Sequence, residues 1–267
     1  MTVSDFRRSA SEFWREFRKV RSGVFGLIFL AIFICILIFE PLIVPYPEAN
    51  EKWRDITYWQ DLPSSAPPSW INLFTSKKRA VSESIEEYAF SETLAGAMRI
   101  QEYVFEYDYS ASVAPSDVVF HASGVGKPTV VISIQRPDGL SIDLYRKQLE
   151  MSPTQDARVS IDRSAQTAAM NFGKKYSPSE GVQLQTIKTT DVLFSEAKQG
   201  IFRSPSPLVG IYKLKVTLLL QKAEEKIEDA FVTVAGRVHG ILGTDNSKRD
   251  IWSGVIAGVK WAMLIGL

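Results

Sequence analysis

A run of apolar residues from Val24 to Ile43 limits the fold of this chain more than any other feature. Its one charged side chain, Glu40, lies near the far end. A helix rises about 1.5 Å per residue, so about twenty such residues span roughly 30 Å, the thickness of the hydrocarbon core of a bilayer. The run is too long for a cleavable signal peptide, and no small-residue cleavage site follows it. We therefore expect a retained transmembrane helix over residues 24–43.

The segment before this run, residues 1–23, is amphipathic and basic. Residues 5–21 place five apolar side chains at helical spacing on one face: Phe6, Ala10, Phe13, Phe17 and Val20. This pattern is typical of a helix lying on an anionic membrane surface, although an ordinary amphipathic core helix gives the same spacing. Basic residues precede the apolar run and acidic residues follow it, so the positive-inside rule predicts a cytoplasmic N-terminus. Residues 44–250 are then extracytoplasmic.

A second apolar run, residues 251–267, follows a tight polar turn from Gly243 to Arg249. Asp250 precedes the run directly, and a short carboxylate at that position is a natural N-cap for a helix. The run has one charge, Lys260, and several small residues, which is the composition of a packed transmembrane helix. We expect the start of a second membrane helix, too short as given to span a bilayer.

This turn and helix resemble the segment before the second membrane helix in permease subunits of the dipeptide and oligopeptide ABC importers. The residues that match the family motif are Gly243, Thr244, Asp245, Arg249 and Asp250, followed by Gly258 and the closing residues 264–267. Where the family usually has glycine before the Arg-Asp pair, this chain has Lys248. The first apolar run and its flanking residues resemble the first helix of the same family.

A third element, Pro67-Pro68-Ser69-Trp70 with Leu73-Phe74, resembles a family segment that ordinarily stands only a few residues before the Gly-Thr-Asp motif. Here a long stretch separates the two. The resemblance therefore implies a linker over residues 44–74, an inserted extracytoplasmic domain over 75–238 and the motif over 239–250. If an insertion leaves the permease fold intact, its two ends should lie close together.

The inserted region is predicted to be a mainly β, sandwich-like domain with six to eight antiparallel strands. Tyr103, Phe105, Tyr107 and Tyr109 alternate with polar residues, as in a half-buried strand. The predicted strands cover residues 100–109, 128–135, 140–146, 182–187, 191–194, 211–220 and 230–238. Residues 77–96 and 164–176 are predicted to be helical. The fold class is thus a mixed membrane protein: a transmembrane helix, a mainly β extracytoplasmic domain and the start of a second transmembrane helix.

The side chains that enzymes and metal sites need are scarce. The only histidines, His121 and His239, have no zinc-type spacing and are interpreted as a strand-end and a juxtamembrane residue. Gly124 to Pro128 is not a phosphate loop, because Pro128 stands where Ser or Thr would hold magnesium. Asp138, Asp143 and Asp162 could meet in space, but acids on turns and strand faces are usually solvated. We predict no catalytic residue, no cofactor and no metal ligand.

Charge and cysteine content exclude two further classes of protein. The 31 basic and 30 acidic residues leave the chain near neutral, so a nucleic-acid-binding surface is not expected. The single cysteine, Cys35, excludes an intrachain disulfide.

By resemblance, the chain is a non-enzymatic membrane subunit of an importer for peptides or a related solute, in the cell membrane. The family implies a second permease subunit, cytoplasmic ABC ATPases and an extracytoplasmic solute-binding protein as partners. The family's ATPase-coupling loop lies between later helices that this sequence does not contain, so we expect the N-terminal portion of a longer, multi-pass permease or one piece of a split one. The alternatives are a membrane-anchored β-sandwich with a structural, adhesive or docking role and, third, a tethered enzyme.

Overall fold

The computed structural model describes residues 14–151 and 155–266, which divide into two compact units. The helical unit comprises Met1–Asp55 and Ile251–Leu267, and the β unit comprises Ile56–Asp250. The helices are α1 (Arg21–Ile43), α2 (Arg163–Tyr176), α3 (Thr189–Leu193) and α4 (Ile251–Gly266). The strands are β1 (Glu83–Ile85), β2 (Tyr88–Ala95), β3 (Met98–Tyr109), β4 (Asp117–Val125), β5 (Thr129–Gln135), β6 (Ser141–Gln148), β7 (Gln155–Arg158), β8 (Gly210–Leu220) and β9 (Lys226–Ala235).

Helix α1 is continuous through the apolar run, so the predicted helix over residues 24–43 is confirmed. Pro41 lies in its last turn and does not interrupt it. Among the described residues, α1 is the one helix long and apolar enough to cross a membrane. The predicted helix over residues 5–21 falls largely outside the described residues. Within the described part of that segment, residues 14–17 are helical and residues 18–20 separate them from α1.

Helix α4 begins immediately after Asp250, as predicted, and packs against α1 within the helical unit. The indole nitrogen of Trp252 donates a hydrogen bond of 2.8 Å to the carbonyl oxygen of Ile43. The lone charges of the two apolar runs face each other, with the Lys260 ammonium 3.9 Å from a carboxylate oxygen of Glu40. An opposite charge is the partner that lowers the cost of a charged side chain in apolar surroundings.

The β unit contains two antiparallel sheets. One has the order β1-β9-β4-β7 and the other the order β2-β3-β8-β5-β6. The alternation of buried and accessible residues along β3 and β8 follows the period of two that a sheet with one covered face requires. A single hydrophobic core contains side chains from both sheets, with Phe105 of β3 and Phe120 of β4 6.3 Å apart between ring centroids.

Several predicted elements are confirmed, and their local signals explain why. The turn over residues 136–139 joins β5 and β6 as predicted, and its Gly139 has φ +81°. Helix α2 matches the predicted helix over 164–176. Its N-cap is Asp162, whose carboxylate accepts hydrogen bonds from the amides of Ser164 and Ala165.

Other predictions are wrong. Residues 77–96 are not a helix, because β1 and β2 occupy most of the segment. The rings of Tyr88 and Phe90 lie 5.0 and 5.1 Å from that of Tyr103 on β3, and these cross-strand aromatic contacts outweigh the helix-forming glutamates. Residues 182–187 and 191–194 are not strands: a 3-10 helix covers Leu184–Thr186, and α3 covers most of the second segment.

The strand predicted over residues 230–238 corresponds to β9, which begins and ends a few residues earlier. Strands β4 and β7 were not predicted. Strand β4 is a nearly continuous buried run, so it lacks the alternation that identified the other strands.

Candidate functional site

The chain segments that enter and leave the β unit lie side by side. The amide of His239 donates to the carbonyl oxygen of Pro67 at 3.0 Å, and the amide of Ser69 donates to that of Gly240 at 2.9 Å. The segments that flank the predicted insertion therefore lie together, and the predicted meeting of its ends near Phe74 and Val238 stays a prediction. These paired segments contain the motif residues, and we call residues 63–69 with 239–250 the junction.

Thr244 and Gly243 join the two halves of the junction. The amide of Thr244 donates to the carbonyl oxygen of Ala66 at 2.9 Å, and its hydroxyl accepts from the amide of Ala66 at 3.0 Å and donates to Pro63. Gly243 has φ +79°, and a Cβ there would lie 2.2 Å from the carbonyl oxygen of Ala66. Only glycine allows this close approach of the two backbones.

Asp245 closes the turn that follows. Its carboxylate accepts from the amides of Ser247 and Arg249, each at 2.9 Å, and from the Arg249 guanidinium at 2.6 to 2.7 Å. Partial burial alone would raise the pKa of Asp245, but these bonds and the charge of Arg249 hold it below its ordinary value. The pair of Asp245 and Arg249 is thus a local, charge-assisted lock on the turn.

Lys248, which precedes the Arg-Asp pair, adopts the left-handed backbone conformation, with φ +67°. Its ammonium donates to the carbonyl oxygen of Gln60 at 2.7 Å. Burial and the charge of Arg158 lower its pKa. The backbone at position 248 therefore has the left-handed conformation that glycine favours. Because the residue is a lysine, this conformation costs about 1 kcal/mol of folding free energy.

Asp250 and His239 form the buried end of the junction. Asp250 is fully buried, and its Oδ1 lies 3.6 Å from Nε2 of His239. Burial lowers the pKa of His239 below 6.5, although the charge of Asp250 acts in the opposite direction. The predicted N-cap role of Asp250 stays a prediction.

We predict that the β unit loses stability as the pH falls from 7.5 to 5.5. Because the folded-state pKa of His239 lies below the unfolded value of 6.5, the unfolded chain takes up the proton first. The stability that neutral His239 contributes is complete above about pH 6.5 and is lost below it. Urea unfolding at several pH values measures this slope, and His239→Gln should reduce it. An unchanged slope in that variant would show that His239 is not its source.

A second polar cluster, which the sequence did not predict, surrounds His121. Its Nδ1 lies 2.7 Å from a carboxylate oxygen of Asp156, its Nε2 lies 3.5 Å from one of Asp61, and its ring stacks on Phe231 with centroids 4.5 Å apart. His121 is in the middle of β4 and is buried, so its interpretation as a strand-end residue is wrong. The cluster ties the segment before the junction to the four-stranded sheet.

Arg158 completes this cluster by pairing with both Asp61 and Asp156. Burial would raise the pKa of Asp156, but the hydrogen bond with His121 and the charge of Arg158 hold it below its ordinary value. One atom each of Asp61, His121 and Asp156 lie within 4.8 Å of one another, as metal ligands would. A metal ion there would have to displace the Arg158 guanidinium, so the arrangement fits an ion-pair network better than a metal centre.

The three aspartates that the sequence analysis considered as a possible carboxylate site, Asp138, Asp143 and Asp162, have separate partners. Asp138 pairs with Arg136 at 2.8 Å, and Asp162 caps α2 and pairs with Lys147. The exposed Asp143 lies on β6 opposite Ser133. No group of three acidic, histidine or cysteine ligands other than that around His121 is found among residues 14–151 and 155–266.

Comparison with known proteins gives one informative match. Residues 10–68 match the family described as the N-terminal TM domain of oligopeptide transport permease C. That match covers α1 and ends within the first half of the junction, so it supports the oligopeptide ABC permease family for this part of the chain. The matched family is one of transport permeases and not of enzymes, and it does not support the adhesive alternative. No curated protein sequence matches.

Similarity to solved structures is weak. TmCBM61 in complex with beta-1,4-galactotriose is 8% identical over 58% of this chain and 79% of that chain, with a TM-score of 0.23. PfGH50B is 11% identical over 62% of this chain and 24% of its own, with a TM-score of 0.24. An exo-beta-agarase is 7% identical over 63% of this chain and 24% of its own, with a TM-score of 0.23. Likeness at this level carries no argument about fold or function.

Proposed function

We propose that this chain is the N-terminal, membrane-spanning part of a permease subunit in an ABC importer for peptides or a related solute. The observation that carries the proposal is the match of residues 10–68 to the oligopeptide permease family, centred on α1. The family implies a second permease subunit, cytoplasmic ATPases and an extracytoplasmic solute-binding protein as partners. In this proposal the five motif residues of the junction are structural, and they shape the turn that precedes the second membrane helix in the chain.

Three features support a membrane location with a cytoplasmic N-terminus. The apolar residues of α1 are not buried by protein, which is the state expected of a helix that faces lipid. Basic residues cluster before α1 and acidic residues follow it. In the β unit, the short 3-10 helix next to the junction exposes Trp70, Leu73 and Phe74, an apolar surface suited to a membrane interface.

The β unit, in this proposal, is a sandwich inserted over residues 75–238 into the first external loop of the permease. The hydrogen bonds across the junction support an insertion, because they join segments that the family keeps close in sequence. A domain attached in this way belongs near the external mouth of the translocation path. Its proposed role is docking or gating of the solute-binding protein, and the competing role is that of a spacer.

Deletion of residues 75–236, with a short Gly-Ser linker joining the ends, tests this role in the assembled transporter. We expect the shortened permease to assemble and to lose affinity for the binding protein and peptide uptake. The control has the same linker inserted after Gly139, in the exposed turn between β5 and β6, with the domain kept. Unchanged uptake and affinity in the deletion variant would exclude docking, and loss of membrane assembly would show a structural role instead.

A further inference from the structure

A cleft of about 660 Å³ opens beside the junction within the β unit. One wall is formed by residues 60–67, and the other by parts of β4, β7 and the end of β9 with their flanking residues. This volume lies within the range of sites that bind small molecules. The proposed transport function does not use the cleft, and the inference below does not depend on it.

Most residues that line the cleft are uncharged, but its charged side chains are mainly basic. Four cations, Arg79, Arg158, Arg237 and Lys248, face one carboxylate, that of Asp117. The Asp117 carboxylate is already engaged, because its Oδ1 accepts from the amides of Val118 and Ser160.

Two of the four cations have acidic partners and two do not. Arg158 pairs with Asp61 and Asp156, and Arg237 pairs with Asp191 at 3.2 Å. The ammonium of Lys248 bonds only to a backbone carbonyl oxygen. Arg79 lines the cleft as a half-buried residue, and its guanidinium makes no hydrogen bond or ion pair with any residue in the described ranges 14–151 and 155–266. A guanidinium is stabilised by an anionic partner, which the cleft itself does not supply to Arg79.

Backbone strain is concentrated at the same place. Among the described residues, the two non-glycine residues with positive φ are Ser65, at +51°, and Lys248, at +67°, and both line this cleft. Their amides donate to the carbonyl oxygen of Asp245 at 2.8 and 3.1 Å, so the junction imposes the conformation. Each such residue costs about 1 kcal/mol or more, and strain of this kind clusters at ligand clamps.

We propose that this cleft binds a small oxyanion, a carboxylate or a phosphate, with Arg79 and Lys248 as its charge partners. The guanidinium of Arg79 offers paired N–H donors that match the two oxygens of either group, and the ammonium of Lys248 adds a point charge. The exposed hydroxyl of Ser65 is a further donor at the rim.

Isothermal titration of the full chain in detergent tests the proposal at constant ionic strength. The probes are inorganic phosphate, N-acetyl-dialanine with a free carboxylate, and the same peptide with a C-terminal amide. We expect saturable binding of at least one anion and none of the amide. Binding of phosphate alone or of the carboxylate alone identifies the source of the oxyanion.

Arg79→Gln is the informative variant, because among the described residues its guanidinium has no partner whose loss would destabilise the fold. We expect binding to weaken by about tenfold or more, the effect of losing one charge-assisted pair. The matched control is Lys222→Gln, which removes the same charge from an exposed position outside the cleft. Absence of saturable anion binding, equal binding of acid and amide, or equal affinity in Arg79→Gln would overturn the proposal.

Discussion

Arg136→Ala is expected to lower the free energy of unfolding of the β unit by about 3–5 kcal/mol, the usual cost of removing one partner from a buried charged network. The Arg136 side chain is completely buried. Its guanidinium donates to the carbonyl oxygens of Leu193 and Ser195, each at 2.6 Å, pairs with Asp138 and lies 4.8 Å from the ring centre of Phe172. The substitution leaves these carbonyl groups buried without a donor.

Urea unfolding of the purified chain measures this loss. The control is Arg146→Ala on β6, an exposed arginine of the same hairpin, which should change stability by less than about 0.5 kcal/mol. Equal, small effects in both variants would show that Arg136 does not hold α2 and α3 against the hairpin.

Gly243→Ala is expected to destabilise the junction by about 3 kcal/mol, combining positive-φ strain with a backbone clash. The added Cβ would stand 2.2 Å from the carbonyl oxygen of Ala66, which is itself bonded to the amide of Thr244. The two segments of the junction would have to separate. Protection of the Thr244 amide from hydrogen exchange, measured together with urea unfolding, reports this separation.

Gly139→Ala separates the two causes. Gly139 has nearly the same φ, +81°, but nothing lies within 4 Å of an added Cβ. It should cost only the conformational strain, about 1 kcal/mol. If Gly243→Ala and Gly139→Ala lower the free energy of unfolding by the same amount, close packing of the junction does not contribute to the loss.

Local signals made part of this structure predictable. The alternating aromatic residues of β3 and the Pro-Asp-Gly turn after Arg136 identify strands and a hairpin without knowledge of their partners. The motif turn was equally accessible, because Asp245 and Arg249 are four residues apart and lock the turn locally.

Features that depend on distant residues were not predictable. The charged composition of residues 77–96 suggested a helix, but pairing of β2 with β3, with aromatic contacts such as Tyr88 to Tyr103, makes much of the segment a strand. Val192 and Leu193 have strand-like composition, but their segment forms a short helix whose carbonyl oxygens accept from Arg136. The cluster around His121 combines Asp61 and Asp156 from separate parts of the chain, so no spacing rule could have found it.

The pairing of β3 with β8 determines when the β unit can fold during synthesis. All of β8 pairs with β3, from Arg99 with Leu220 to Tyr109 with Gly210. Strand β1 pairs with β9, which lies still farther away in the sequence. Neither sheet can close until the ribosome has made nearly the whole unit, and such non-local pairing is slow to form. Until β8 is available, the β2–β3 hairpin leaves the aromatic residues of β3 without the rest of their core, and incomplete packing of this kind makes a chain prone to aggregation.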